Sequence, residues 1–406
     1  MVAGAGAAGV ATYLFQVIGT RALGTQAYAP ISVLWTIQYL VFAVGMVAVE
    51  AYVTRATTLH PETLGRDQRI VALWLGSGAV AVGAVTWALR AQLFNGLDDL
   101  AITAGLIVLA YGSYAVVRGR LAGAERFRPF GAVVFAEAAV RVVLAAVIVA
   151  ISATTRSLAW ILPVGPLLVT AWWAGIGRHQ RATPRDGGTE QIGTTSGFLA
   201  ASTSANAAAQ LLLAGGPLVL LPLGAGPVEV SVFFVTITAA RTPVSFALGG
   251  LLGRILPPLT RMARDGDADG LRRIVLGAAV VTAVAAIVGA GAASVIGDDL
   301  VAILFGEEFR PDRLFVTLAG AGVVMATGSL VLNQILVATH GERHLPAPWF
   351  AALAVAATAI VVLGGSATTR VATGFAAAEA VALLGLTAAA QRSVRTTGGR
   401  RSRSQP

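Results

Sequence analysis

Twelve long apolar stretches fill this chain, near 3–20, 29–53, 70–91, 100–117, 130–153, 157–176, 196–222, 227–252, 273–296, 314–338, 346–365 and 369–391. Runs of roughly 20 apolar residues are long enough to cross a bilayer as helices. Hydrocarbon offers no partner to a backbone N–H or C=O, so only helices and closed barrels span it. The length of the stretches selects helices. The expected fold class is all-α, a polytopic membrane protein of about 12 transmembrane helices. Charged residues make up only 12% of the chain and mean hydropathy is +0.76. A water-soluble domain carries about 25% charged residues. The stretch 196–222 is the least apolar, because GFLAASTSANAAAQ is small and polar.

The arginines fall on alternate connections. With the N-terminus inside, inner connections and the tail hold 21 of the 29 basic residues, all arginine, and outer connections hold 6. Arg141 and Arg241 lie inside apolar stretches. This bias predicts a cell-membrane protein with both termini cytoplasmic. A missed or invented span would reverse the alternation downstream, and it does not reverse. The net charge of +9 therefore sets topology and gives no sign of a nucleic-acid partner. The opening MVAGAGAAGVATYLFQVIG lacks the basic leader of a signal peptide and reads as the first span.

The longest inner loop, about 177–195, is rich in Gly, Thr and Arg and divides the chain into two lobes of six spans each. The expected divisions are an N-terminal lobe over 1–180, a cytoplasmic linker over 181–195, a C-terminal lobe over 196–391 and a basic, disordered cytoplasmic tail over 392–406. Leu23-Gly24 and Thr36-Ile37 recur as Leu223-Gly224 and Thr236-Ile237 at a common offset of 200. Internal repeats of this kind build many transporters. The tail carries five arginines and no acid, which suits a solvated, positive-inside segment or a contact with anionic lipid headgroups.

Charges inside the spans carry most of the functional information. A central arginine costs about 2.5–3.5 kcal/mol on insertion scales and must face protein or a wet cavity. Arg241 is such a residue, and Pro243 two positions on predicts a helix kink. The two readings are a cavity-facing cation and an arginine bonded to carbonyls freed by the kink. Glu137 and Arg141 are four residues apart, on one helix face. They form either a self-neutralised pair or a cavity pair in which an anionic substrate competes with Glu137 for Arg141. Glu50 ends the second span close to the inner surface, near Arg55. Glu379 lies deeper, in FAAAEAVALL, as a lone acid that could carry a proton. Glu379 and Glu50 are the candidates for ion coupling. The amides Gln16, Gln38, Asn206, Gln210, Asn333 and Gln334 read as inter-helix hydrogen-bonding groups.

No P-loop motif is present. No metal-ligand cluster or HExxH motif appears, cysteine is absent, and the four histidines (His60, His179, His340 and His344) lie in inner loops or at span ends. No catalytic residues, metal or cofactor are expected. The outer acid pairs Asp98-Asp99, Asp298-Asp299 and Glu307-Glu308 read as solvated loop acids. A glycosyltransferase or polymer ligase would need a larger outer acceptor site than these short loops provide.

Several stretches resemble the polysaccharide-export flippases of the multidrug/oligosaccharidyl-lipid/polysaccharide (MOP) exporter superfamily. They are YLFQVIGTRALGTQAYAPISVLW (13–35), MVAVEAYVTR (46–55), VVRGRLAGAERFRPFGAVVFAEAAVRVVLAAV (116–147), LLGRILPPLTRMARDGDADGLRRIV (251–275) and LFGEEFRPDRL (304–314). The resemblance implies two six-helix lobes around a central cavity, and export of undecaprenyl-type diphosphate-linked oligosaccharides by alternating access. It makes Arg241 and Arg141 the cavity cations for the diphosphate, with Glu137 beside them. The expected partners are the lipid-linked glycan, membrane lipids and other polysaccharide-assembly proteins. The chain has no equivalent of the dense arginine set of the lipid II flippases. A drug or cation antiporter of the same superfamily is the alternative, with a membrane glycosyltransferase or a transport-inactive scaffold further off.

Because the chain has no cysteine, single-cysteine variants report topology cleanly. Thr183→Cys and Ser402→Cys should react with an impermeant maleimide only from the cytoplasmic face. Asn95→Cys and Glu308→Cys should react only from the outer face. Reversed labelling overturns the orientation.

Overall fold

The computed structural model describes residues 2–59, 64–177, 207–339, 341 and 344–401. Among them there is no strand, and helix follows helix along the chain. The first half holds α1 (Val2–Leu40), a π-helical segment (Val41–Met46), α2 (Val47–Leu59), α3 (Leu64–Ala88), the short α4 (Arg90–Phe94), α5 (Asp99–Gly123), α6 (Phe127–Ile151) and α7 (Thr155–Gly177). The second half holds helical residues 207–214 (α8), α9 (Gly216–Leu220), α10 (Pro227–Asp265), α11 (Ala268–Phe305), α12 (Arg313–Ala338), α13 (Pro346–Val362) and α14 (Ala367–Arg401). Eight helical stretches among the described residues are long and apolar enough to cross a membrane. One of these is 49 residues long, from Gly6 to Thr54, and includes two of the expected spans. The linker 181–195, residues 196–206 of the seventh span with Asn206, and His60, His179 and His340 lie outside the described residues.

The helices begin and end where local chemistry dictates. At Gly24 (φ 74°, ψ 175°) the α1 backbone leaves helical geometry, which separates the first span from the second. Gly224 (φ 83°) stands at the corresponding corner before α10. Left-handed φ is nearly free for glycine and costs other residues. Both glycines of the repeat read from sequence thus stand at corners with positive φ, although ψ differs (175° at Gly24, 15° at Gly224). Its other half matches as well. Thr36 Oγ1 donates to the Ser32 carbonyl at 2.9 Å, and Thr236 Oγ1 donates to the Val232 carbonyl at 2.7 Å. A second echo escaped the sequence reading. Ser152-Ala153-Thr154-Thr155-Arg156 recurs as Ser366-Ala367-Thr368-Thr369-Arg370, and the two copies lead into α7 and α14.

Two expected boundaries shift. The ninth span does not stop at 296, because α11 continues to Phe305 and places Asp298-Asp299 on its last turns. Gly306 (φ 119°) ends that helix instead. Nor does a disordered tail begin at 392, because α14 continues to Arg401. Ser393 and Val394 are buried, and Ser393 Oγ lies 2.9 Å from Thr339 Oγ1, so packing extends the helix beyond the apolar run. Helix α10 likewise continues past Pro243 to Asp265.

The chain forms two compact units. One comprises Met1–Gln210 with Gly226–Ser231, and the other Leu211–Ala225 with Val232–Pro406. The first turn of α10 thus belongs to the first unit, where Ser231 Oγ donates to the Thr25 carbonyl at 2.6 Å. Inside the first unit α1 packs on α6, α2 and α3 pack on α5, and α5 packs on α7. Inside the second, α12 packs on α11 and α14, and α13 packs on α14. Small residues set these distances, as expected where lipid supplies no hydrophobic drive between helices. A Cβ on Gly119 would meet the Glu50 carbonyl at 2.8 Å, and one on Gly123 would meet the Thr54 carbonyl at 2.5 Å. Helix α5 therefore lies directly against the backbone of α2.

Gly123→Val should force these helices apart and cost about 1–3 kcal/mol, read as a lower unfolding midpoint in detergent. Gly277→Val, where nothing lies within 4 Å of the new Cβ, should stay within about 0.5 kcal/mol of the parent. Equal midpoints for the two variants would contradict the close α2–α5 packing.

Candidate functional site

A buried network of charge and aromatic rings lies in the first unit. Glu137 and Arg141, on successive turns of α6, form an ion pair with side-chain exposures of 8% and 3%. Tyr111 of α5 joins both. Its hydroxyl donates to Glu137 Oε1 at 3.0 Å and accepts from Arg141 Nη2 at 2.9 Å. Arg141 Cζ also sits 4.8 Å from the centre of the Trp35 ring. Each contact offsets part of the cost of holding a guanidinium in hydrocarbon, where pairing and hydrogen bonding are the main compensation.

The network continues to a second ion pair. Arg118, on α5, places Nη2 3.1 Å from Glu50 Oε2 of α2. Its Cζ lies 5.2 Å from the Phe42 ring, 5.6 Å from Tyr114 and 5.1 Å from Phe130. Phe42 also meets Tyr111 edge-on at 6.0 Å, and Tyr111 meets Tyr114 the same way at 6.2 Å. Phe42 is carried by the π-helical segment Val41–Met46. A π turn widens the helix and re-aims a side chain, and such turns recur at functional sites.

The donors here outnumber the acceptors. Arg141 Nε and Nη1, Trp35 Nε1 and Arg118 Nε are buried and find no hydrogen-bond acceptor among the described residues. Gln38 Oε1, one turn from Trp35, is a buried acceptor that finds no donor. Native interiors rarely leave such atoms unmatched, and a concentration of them calls for an explanation. Chemically, this arrangement offers several N–H groups to an oxyanion beside aromatic faces.

The sequence candidates separate in space. Glu137 and Arg141 are brought together as a bonded pair, with Tyr111 as a third member that sequence spacing gave no reason to include. Glu50 meets Arg118, sixty-eight positions away, whereas the neighbour anticipated for it was Arg55, whose side chain lies outside the described residues. Arg118 is one of the 21 arginines that sequence assigns to inner connections, yet it stands on α5. Arg241 is half-buried on α10 and belongs to the second unit. Glu379 of α14 is also in the second unit, fully buried, and neither of its oxygens has a hydrogen-bond partner among the described residues. On the outer connections, Arg90 pairs with Asp98 at 2.8 Å and Arg156 with Asp99 at 3.1 Å. Arg310 gathers Asp298, Asp299 and Glu307 at 3.1, 2.6 and 3.1 Å. Five acids of the three acid pairs thus bind Arg90, Arg156 and Arg310. No group of three or more potential metal ligands exists among the described residues.

Arg141→Ala should cost about 3–5 kcal/mol, because it strands Glu137 in the interior. The double variant Glu137→Leu/Arg141→Met removes both charges and should recover most of that loss. Unfolding midpoints of the single and double variants check this, and an equal loss in both would show that the pair contributes no mutual compensation.

No family model matches the chain. Uncharacterized proteins of Mycobacterium tuberculosis and Mycobacterium bovis are 28% identical over 247 residues, covering 59% of this chain and 54% of theirs. The chain thus spans about half the length of the curated relatives it matches (54%). Among solved structures it is similar to the inward-facing conformation of a multidrug resistance MATE family transporter of the MOP superfamily. The TM-score is 0.67 at 13% identity, over 99% of this chain and 96% of that one. A MATE transporter of Vibrio cholerae gives a TM-score of 0.60 at 13% identity, over 98% and 96% of the two chains. A MOP superfamily transporter from Pyrococcus furiosus, described as having a binding pocket of reverse polarity that suggests a different function, gives 0.60 at 12% identity, over 99% and 94%. At such identities the likeness is one of fold. The chain is a multi-pass, all-helical membrane protein with the fold of the MATE transporters of the MOP superfamily.

Proposed function

We propose that this chain is a membrane transporter, and within that class a flippase for a polyprenyl-diphosphate-linked oligosaccharide or related lipid-linked glycan. The supporting observation is the surplus of buried N–H donors around Arg141 and Trp35. A diphosphate is rich in acceptor oxygens, and charge-assisted bonds from arginine to phosphate are strong and directional. Trp35 presents a flat face beside the same guanidinium, which suits a sugar ring next to the phosphate. In this reading Glu137 holds Arg141 in place while the site is empty and yields one N–H to the anion on loading. Arg241 is the candidate cation of the second unit.

Carriers built from internal repeats move their cargo by alternating access, and the two corner and Thr-Arg repeats of this chain fit that plan. The transport direction is inner to outer leaflet, for cell-surface polysaccharide assembly with its partner enzymes. A membrane negative inside favours outward movement of an anion by about 2.3 kcal/mol per unneutralised charge per 100 mV. No bond is made or broken in this process, so the chain acts as a carrier and not as an enzyme.

A second reading is a drug or cation antiporter. It is favoured by the buried Glu379 carboxyl, which has no hydrogen-bond partner among the described residues, and by a fold that multidrug transporters share. The two readings separate on charge. A flippase loses function when an arginine is removed, and an antiporter loses it when an acid is removed.

The test is flipping of a fluorescent polyprenyl-diphosphate sugar in proteoliposomes. Arg241→Ala should lower the rate roughly 10- to 100-fold, the value of one charge-assisted hydrogen bond of about 1.5–3 kcal/mol. Arg141→Lys, which keeps the charge and loses the fork, should fall in the same range. Undiminished flipping in well-folded Arg241→Ala removes that residue from the mechanism. Transport of organic cations by a protein that leaves the glycolipid untouched overturns the flippase in favour of the antiporter.

A further inference from the structure

Several arginines near helix ends are already occupied. Arg90, Arg156 and Arg310 each hold a carboxylate, and Arg370 donates to the Ile360 carbonyl at 2.7 Å. Arg118 turns inward to Glu50. The turn from α5 into α6 breaks this rule. Its nine residues 120–128, RLAGAERFR, set Arg120, Arg126 and Arg128 against one acid, Glu125. None of these three guanidinium groups forms an ion pair or a side-chain hydrogen bond among the described residues. Arg120 and Arg128 are exposed, and Arg126 is half-buried.

Aromatic rings stand beside these charges. Phe127, between two of the arginines, is 49% exposed, and Trp172 near the end of α7 is 50% exposed. Arg126 joins the two elements. Its Cζ lies 5.6 Å from the centre of the Trp173 ring, and Trp173 meets Trp172 edge-on at 6.5 Å. That contact uses the π face of the indole and no acceptor oxygen, so the N–H donors of Arg126 stay available. Tryptophan belongs where hydrocarbon gives way to headgroups, with its body in the apolar layer and its N–H in the polar one. The corner is also fixed in place. A Cβ on Gly123 would meet the Thr54 carbonyl of α2, Glu125 takes a left-handed conformation (φ 55°), and the Arg126 N–H donates to the Leu121 carbonyl at 2.8 Å. A corner held this way presents its charges with little ordering cost on binding.

The turn from α10 into α11 is equally rich in arginine and is balanced internally. Arg261, Arg264, Arg272 and Arg273 there are interleaved with Asp265, Asp267 and Asp269. Arg264 pairs with Asp265 at 3.6 Å, and Asp267 accepts from the Gly270 N–H at 2.8 Å. Topology alone asks for arginine at a helix end; it does not ask for arginine without acids beside exposed rings.

We propose that the α5–α6 turn, with the end of α7, binds the headgroup of an anionic phospholipid. The phosphate diester takes N–H donors from Arg126 and Arg128, a charge-assisted contact, and Arg120 adds positive charge. The glycerol and the upper acyl chain lie on Phe127 and Trp172. Charge complementarity and the rings together select this occupant. A soluble anion would use the arginines and leave the rings bare, and a zwitterionic lipid would bring an ammonium to a corner that is already positive. In the orientation expected from the arginine bias, the site lies at the inner leaflet, whose anionic lipids supply its surface charge. The inference does not depend on the glycan reading, since no cargo is needed to observe it.

Quenching of tryptophan fluorescence by acyl-brominated lipids tests it on the full chain in phosphatidylcholine micelles. At equal fraction, brominated phosphatidylglycerol should quench more than brominated phosphatidylcholine, and this excess should shrink in Trp172→Phe. Arg126→Gln/Arg128→Gln should raise the phosphatidylglycerol fraction needed for half of the excess roughly 25-fold, about five-fold per arginine. Arg272→Gln/Arg273→Gln, an equal loss of charge on α11, should leave that fraction unchanged. Equal quenching by the two lipids, an unmoved fraction in the α5–α6 variant, or an equal shift in the α11 variant would overturn the proposal. Displacement of the lipid by millimolar inorganic phosphate would overturn it in favour of a soluble-anion site. Displacement by a polyprenyl diphosphate at a lower fraction than phosphatidylglycerol requires would overturn it in favour of a cargo-entry site. Should Arg126→Gln/Arg128→Gln fail to fold, Arg120→Gln/Arg128→Gln, at two exposed positions, decides by the same shift.

Discussion

A charged group inside hydrocarbon must find its partners within the protein, and the rest of this structure is arranged around that requirement. Glu137 and Arg141 meet it by spacing on one helix. Tyr111 then supplies a hydroxyl that donates to one and accepts from the other. Trp35 adds a ring face to the guanidinium. Removing any one member leaves the others unbalanced in a medium that cannot solvate them. The packing of α1, α5 and α6 is thereby tied to the fate of two charges.

The close approach of helices serves the same end. Gly119 and Gly123 let α5 lie against the backbone of α2, which brings Arg118 of α5 to Glu50 of α2. The π-helical segment ahead of α2 sets Phe42 beside both Arg118 and Tyr111. Local backbone geometry, small residues and charge pairing thus converge on one part of the first unit. The network holds two ion pairs yet keeps N–H donors with no acceptor among the described residues. The second unit is organised differently. Its buried acid, Glu379, has no hydrogen-bond partner among the described residues.

Charges near the helix ends follow a simpler rule. Arg90, Arg156 and Arg310 are each held by a nearby carboxylate. Asp98, Asp99, Asp298, Asp299 and Glu307 are thus engaged in fastening helix ends together. The repeated Ser-Ala-Thr-Thr-Arg segment belongs to this fastening. Arg156 reaches Asp99 at the start of α5, whereas Arg370 reaches the Ile360 carbonyl near the end of α13. The two copies share a sequence but differ in what they tie.

Sequence alone determined the helical, membrane-spanning class and the position of most of the spans, because hydrophobic length and backbone satisfaction in lipid are local properties. It also located the corner repeat, since glycine at left-handed φ is legible wherever a turn must occur. The Glu137–Arg141 pair was legible for the same reason, as a four-residue spacing within one helix. The remaining partners were not. Tyr111, Trp35 and Arg118 join the network through helix packing across 30 to 106 residues of sequence, and no periodicity reports which helix faces which. The continuation of α11 to Phe305 and of α14 past 392 goes with burial of Val301, Ala302 and Phe305 on the one and of Ser393 and Val394 on the other. Only the folded chain pairs Gly322 with Phe375 and Thr339 with Ser393, because the register of two packed helices is a property of their packing and not of either sequence.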